Sequence, residues 1–273
     1  MNRNISYTTI VGPTVLLLIS LIGCPATADE PCAYSVGVIP QFDERRIRSV
    51  WTPLLKELSK KTQCEISLVG SKSIADFDRE IRAGKYDFAY ANPVQVWMGY
   101  QEQGYVPLAR SAAKKLTGIL VARKDDQIAS LKDLEGEKLA FPSPRAIGAT
   151  LLTQEELQSQ GIAFLPRYVK THSSVYLHVA KGLVRAGGGV GRTLNEQPDY
   201  IKKTLRIIYT SRDIFPHAFV AHRDVPASSK DAVQRVWFEL WLENPELFSG
   251  IPMKSPEVPN VKDYETLEKW IIE

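Results

Sequence analysis

The stretch from residue 34 to residue 69 constrains the fold more than any other part of the chain. An apolar run, Tyr34-Ser-Val-Gly-Val-Ile39, leads into a segment from about Asp43 to Thr62 and then a second apolar run, Glu65-Ile-Ser-Leu-Val69. In the middle segment Ile47, Val50, Trp51, Leu54, Leu55 and Leu58 recur at i, i+3 and i+4, the apolar face of a helix. Strand, helix and strand at this spacing form a right-handed crossover between parallel neighbours. The chain therefore begins an α/β sheet.

The residues ahead of this unit read as a leader. Arg3 precedes a mostly apolar run, Ile10 to Ile22, which is shorter than the about 20 residues of a membrane span and suits a secretory signal. Two cleavage readings stand. Ala26-Thr27-Ala28 ends a leader over 1–28, whereas Leu21-Ile22-Gly23-Cys24 resembles a lipobox that would anchor the protein through Cys24, with Pro25 arguing against it. Either way the expected location is the periplasm. Cys32 and Cys64 then remain, each just before one of the first two strands. An even pair in an oxidising compartment suggests a disulfide, and strands paired in register would place both at one end, near the Cα separation of about 5.5 Å. Two unrelated thiols are the alternative. Zinc needs more ligands than this, and no redox C-x-x-C occurs.

Strands and helices go on alternating. Helical patterns cover Ser73–Ala83, closed by Gly84, and Val94–Gln103, with strands at Asp87–Ala91, Val106–Arg110 and Leu116–Arg123. A second unit follows, with strands at Lys138–Phe141, Phe164–Val169, Arg185–Val190 and Leu205–Tyr209 and helices at Ala146–Ser159, Ser174–Val184 and Asn195–Lys203. The segment His217–Pro226 echoes Gly118–Asp125, since both are apolar strands ending in a basic residue and an aspartate. Helices at Ala227–Asn244 and Tyr264–Ile272 close the chain. This pattern predicts two α/β lobes, 29–120 plus 221–273 and 121–220, joined by two extended crossings that act as a hinge, with a cleft between them.

A composition of 44% hydrophobic and 24% charged residues is that of an ordinary globular protein, and a net charge of +3 is too small to point to nucleic acid or a membrane surface. Recognition must be local, and a monomer with no nucleic-acid partner is expected. Ligands of open parallel sheets sit beyond the carboxyl ends of strands. The residues there include Gln41, Tyr90, Asn92, Ser143, Arg145, His172, Ser173, Ser174, Arg192 and His217. Hydroxyls, imidazoles and guanidinium groups without carboxylates are donors for an anion.

The run Phe141-Pro-Ser-Pro-Arg-Ala-Ile-Gly-Ala-Thr150 concentrates this chemistry. The first N–H groups of a helix lack intrahelical partners and lie at the positive end of its dipole. Ala146, Ile147, Gly148 and Ala149 would offer them to an oxyanion, with little bulk in the way. Ser143 either adds a hydroxyl or caps the helix, and Arg145 faces either ligand or solvent. Ser173 or Ser174 would cap a later helix with His172 before it, and His178 reads as surface. Ala186-Gly-Gly-Gly-Val-Gly-Arg-Thr193 falls short of a P-loop at Ala186 and Arg192. Its glycines instead give room to a backbone or a ligand, with Arg192 turned to the cleft.

With these residues in place, the chain resembles the periplasmic solute-binding proteins of phosphate, phosphite and phosphonate ABC transporters. The likeness is carried by Gly37–Thr62, Tyr86–Val94, Gly118–Asp125, Leu139–Ile162, Gly182–Thr193 and Pro216–Pro226. It implies a type II-like two-lobed binding protein without catalysis or cofactor. Tyr90 would be a cleft aromatic, Ser143 to Thr150 the binding loop and helix start, and His172 the histidine that follows the second lobe's strand. Two departures matter. The family's binders commonly place Ser-Thr-Ser where this chain has Ala146-Ile147-Gly148, and often carry an aspartate for a ligand amine near the position of His217. An aminoalkyl phosphonate is therefore not expected.

Three functions compete. One is a transport receptor delivering a small oxyanion to an ABC permease. Another is a ligand-binding accessory protein of a membrane histidine kinase. The third, an exported phosphate-ester hydrolase, would need a metal cluster or activated nucleophile. H-E-x-x-H and G-x-S-x-G are absent, and the histidines are only His172, His178, His217 and His222. The reading is a binding protein, with no metal.

Overall fold

The computed structural model describes residues 1–2, 32–113 and 115–270. Both cleavage readings of the leader, and Cys24, lie outside the described residues. Among the described residues no helix is long and apolar enough to cross a membrane.

The opening crossover forms as expected. β1 (Ala33–Val38) and β2 (Glu65–Val69) pair in parallel, with Ala33 opposite Glu65. Between them runs α1 (Glu44–Thr62), capped by Asp43 and burying Trp51, Leu54, Leu55 and Leu58. This register sets Cys32 beside Cys64, and the two form a disulfide with their Cα atoms 4.8 Å apart.

Two mixed sheets result. The first has the order β2, β1, β3 (Phe88–Ala91), β10 (Ala218–Ala221), β4 (Val106–Ser111), β11 (Pro256–Glu257). The second has the order β7 (Leu165–Tyr168), β6 (Lys138–Phe141), β8 (Ala186–Val190), β5 (Gly118–Arg123), β9 (Leu205–Thr210). The look-alike strands β5 and β10 each take the fourth place of a sheet, antiparallel to both neighbours. The segments that join the sheets run side by side. Leu116 and Ile214 exchange both backbone hydrogen bonds, at 2.9 and 3.0 Å.

Helices cover both sheets. On the first lie α2 (Ile74–Arg82), α3 (Pro93–Gln103) and the returning α8 (Ala227–Glu243), whose Trp237 stacks on Phe219 with centroids 4.3 Å apart. In the second, Ile119 and Val121 belong to one core while Leu120 and Ala122 belong to another. Burial on both faces explains why β5 is an unbroken apolar run.

Four local expectations are corrected. The single helix expected over Asn195–Lys203 is two, α6 (Gly191–Asn195) and α7 (Asp199–Thr204), because Pro198 cannot continue the first. The helix α5 spans His172–Ala180, not Ser174–Val184, and Gly182 at φ 67° lies just past its end. The tail from Val261 to Trp270 winds as a tight 3-10 helix, and residues 271–273 lie outside the description. The helix expected from Ala146 begins with a π-helical turn, Ile147–Leu151, before α4 (Leu152–Ser159).

Candidate functional site

The site begins where β6 ends. After Phe141 the chain turns through Pro142–Arg145 into the π turn, which no side chain caps. Ser143 contributes its carbonyl, which accepts from Ala146 N at 3.3 Å and from the Thr150 hydroxyl at 2.7 Å. The turn is pressed onto the second sheet because side chains are missing there. A Cβ on Gly188 would overlap the Ala149 carbonyl oxygen, and one on Gly118 would overlap that of Gly148. The glycine run of β8 thus admits a neighbouring backbone, the role expected of it.

The turn faces the carboxyl ends of β1 and β3. A narrow cavity lies between. The second sheet's side contributes Ala146, Ile147, Gly148, Ala149 and His172, and the first sheet's side contributes Gln41, Asn92 and His217. Ile39, Ile74, Leu116 and Val190 add an apolar wall. Seven of the residues expected at the site therefore share one cavity: Gln41, Asn92, Ala146, Ile147, Gly148, His172 and His217. The apolar wall escapes sequence reading, since those residues look like ordinary strand and helix core.

Both imidazoles are neutral. Burial pushes His172 and His217 down to about 3, and the positive charge of Arg192 acts in the same direction. His172 Nδ1 lies 3.2 Å from Thr193 Oγ1, and His217 Nε2 lies 3.3 Å from Gln41 Nε2. Asn92 does two jobs. It caps α3 in a reciprocal box with Gln95, and its Nδ2 donates to the Arg145 carbonyl at 3.2 Å, linking the two sides of the cavity. Gln95 Nε2 in turn donates to buried Asp78 at 2.5 Å. Burial raises the Asp78 carboxyl to about 6 against the opposing hydrogen bond from Gln95 and the charge of Arg145. The positive charge of Arg145 is thus felt at Asp78, and Arg145 does not line the cavity.

A wider space of about 300 Å³ adjoins the cavity, sharing Gln41, Leu116, Val190 and His217 and adding Tyr90 and Arg192. Tyr90 stacks on His217, centroids 5.5 Å apart, and its buried hydroxyl has no hydrogen-bond partner. Arg192 Nε pairs with Glu196 at 2.8 Å, and its Nη2 donates to the Gly250 carbonyl. Arg46 of α1 reaches the same Glu196 at 2.6 Å, and both guanidinium groups lie over Phe42. Arg192 is therefore part of a clamp joining the two sides.

The remaining expected residues lie off the cavity. The Ser143 hydroxyl is buried without a partner, and that of Thr150 is spent on the Ser143 carbonyl. Ser173 Oγ accepts from Gln197 Nε2 at 3.2 Å. The capping role expected of Ser173 or Ser174 falls to Thr171, whose hydroxyl oxygen accepts from Ser174 N at 3.1 Å, because the helix starts two residues earlier than its apolar pattern.

Comparison with known proteins places this geometry. A family model described as the periplasmic substrate-binding protein of a phosphonate ABC transporter matches residues 36–264. The phosphate-import protein PhnD of Mycolicibacterium smegmatis is 25% identical over 214 residues, 70% of this chain and 67% of that protein. The tetrathionate sensor histidine kinase TtrS of Salmonella typhimurium is 23% identical over 164 residues, 55% of this chain and 27% of the kinase. The structure of PhnD1 from Prochlorococcus marinus, in complex with methylphosphonate, has a TM-score of 0.80 at 16% identity, covering 88% of this chain and 97% of that one. The shared fold is that of two-lobed periplasmic binding proteins. This is a family of solute-binding transport proteins, not of enzymes. With the match running from the first strand to the closing helix, the chain belongs to the periplasmic substrate-binding proteins of phosphonate ABC transporters.

Proposed function

We propose that this protein captures a small phosphorus oxyanion (phosphate, phosphite or phosphonate) for an ABC permease. The two lobes, each built on one sheet, with β5 wholly in the second and β10 wholly in the first, close over the anion about the paired crossings. The observation that carries the reading is the cavity in which the helix-start backbone of 147–149 faces two neutral imidazoles and two amides, with no carboxylate in its lining; the Ala146 N–H, expected to join them, is spent on the Ser143 carbonyl. Backbone N–H groups at a helix start suit an oxyanion. A ligand amine would find no counter-charge there, which disfavours aminoalkyl phosphonates. The apolar wall favours a ligand with one non-oxygen face, P–H or P–CH3, because a fourth oxygen against hydrocarbon would go unpaired.

The test is a thermal-shift screen with phosphate, phosphite, methylphosphonate, sulfate and arsenic oxyanions. A ligand at one hundred times its Kd stabilises the native state by about 2.7 kcal/mol. Phosphite or methylphosphonate should give the largest rise, and Gln41→Ala or Asn92→Ala should reduce it. A hit indifferent to both substitutions moves the site elsewhere, and no hit rejects the reading.

A second reading, ligand sensing through a membrane histidine kinase, is favoured by the similarity to the tetrathionate sensor kinase over 164 residues. Deletion of the gene separates the two. Loss of uptake of the winning anion supports transport, whereas loss of a transcriptional response with uptake intact supports sensing.

A further inference from the structure

We infer that the preferred ligand is a phosphonate bearing a second anionic group, a carboxylate in the simplest case, held in the wider chamber beside the oxyanion cavity. The inference rests on the oxyanion reading above and extends it to what the phosphorus carries. A bare oxyanion held at the helix start would leave the wider chamber beside it unused. The two share the walls formed by Gln41, Leu116, Val190 and His217, so a substituent leaving the first space enters the second.

The chamber's own lining is polar and positive. It includes Tyr90, Lys115, Thr117, Arg192 and Asn195, two of them cations, and no carboxylate. Glu196 offsets part of the charge of Arg192. Lys115 is solvent-exposed, with Nζ 4.4 Å from the centroid of Phe215, and it has no ion-pair partner among the described residues. It places a positive charge at the edge of the chamber, which it shares with a neighbouring pocket lined by Asp213 and Asp263. Tyr90 supplies a second, independent sign. Its residue is 2% exposed, its hydroxyl has no acceptor, and burial raises its pKa, so it stays a donor. A buried donor left unpaired is costly. An acceptor on the ligand would satisfy it, and a negative one would also pair with Lys115. An uncharged acceptor does only the first, and a cationic substituent does neither.

Calorimetric titration of the protein with phosphonoacetate and methylphosphonate tests this. Phosphonoacetate should bind about tenfold tighter or more, equivalent to about 1.4 kcal/mol. Lys115→Gln should bring the two affinities within about twofold of each other, Lys115→Arg should keep the preference, and Tyr90→Phe should shrink it. Lys115 is exposed, so its variants are expected to fold. If methylphosphonate binds but phosphonoacetate is not preferred, or if the preference survives both Lys115→Gln and Tyr90→Phe, the inference falls and the oxyanion reading stands. If phosphate, phosphite, methylphosphonate and phosphonoacetate all fail to bind, both fall.

Discussion

His172 and His217 are neutral where an exposed imidazole would titrate near neutrality, and this sets how the protein responds to acid. The unfolded chain protonates them below the ordinary 6.5, while the folded protein does so only near 3. Between those values the unfolded state holds more protons, so stability falls as pH drops from 6.5 toward 3. The melting temperature should decline across that window, and His217→Gln should make the decline shallower. Asp78 works the other way. Its carboxyl titrates near 6 when folded and near 3.8 when unfolded, so the native state holds the extra proton between them, and Asp78 costs stability above 6. Asp78→Asn should melt higher than the parent at pH 8 and match it at pH 4. A variant less stable at pH 8 would show that the negative charge beside Arg145 outweighs its burial. Position after a strand made Gln41, Asn92, His172 and His217 readable in the sequence. Thr150, Ser173 and Ser174 share that position but spend their hydroxyls on the Ser143 carbonyl, the Gln197 amide and the Thr171 hydroxyl. Nothing in the spacing shows which hydroxyls a neighbouring group will claim. The Asp78–Gln95 link, between two different helices, leaves no trace in the pattern at all.

At the scale of elements, the π turn and the strands beneath it form one unit. Gly188→Ala would drive a methyl into the Ala149 carbonyl and lift the turn from the sheet. Overpacking of this kind costs about 1–3 kcal/mol, and because the turn also lines the cavity, both melting temperature and oxyanion affinity should fall. A variant that loses stability but keeps affinity would detach the turn from binding. The disulfide ties β1 to β2 across 32 residues of sequence. A loop of that length corresponds to about 3–4 kcal/mol of stability, so Cys32→Ser/Cys64→Ser should melt well below the parent, with ligand selectivity kept. Strand positions and the first crossover were legible because buried parallel strands are short apolar runs. The break at Pro198 and the π turn were not, since the apolar spacing runs through both and only backbone geometry separates them.

At the scale of the molecule, the two sheets are held by a small set of bonds across the cavity mouth. Glu196 gathers Arg46 from one side and Arg192 from the other, and Arg192 continues to Gly250. Partly exposed ion pairs contribute about 1 kcal/mol. Glu196→Gln should therefore weaken ligand binding about fivefold, mainly through faster release, while a slower association rate with unchanged release would assign the clamp to ligand entry instead. The two-sheet plan was legible from the repeated strands at Gly118–Asp125 and His217–Pro226. The clamp was not, because its members are 150 residues apart in sequence.

Those repeated strands have a further consequence. The fourth strand of the first sheet, β10, arrives only after the whole second sheet has passed, yet it fills the gap between β3 and β4. A stop codon or a protease cut before Ala218 leaves that gap open and exposes two bare strand edges to any passing chain. The first sheet therefore stays incomplete until β10, about four-fifths of the way along the polypeptide, has emerged.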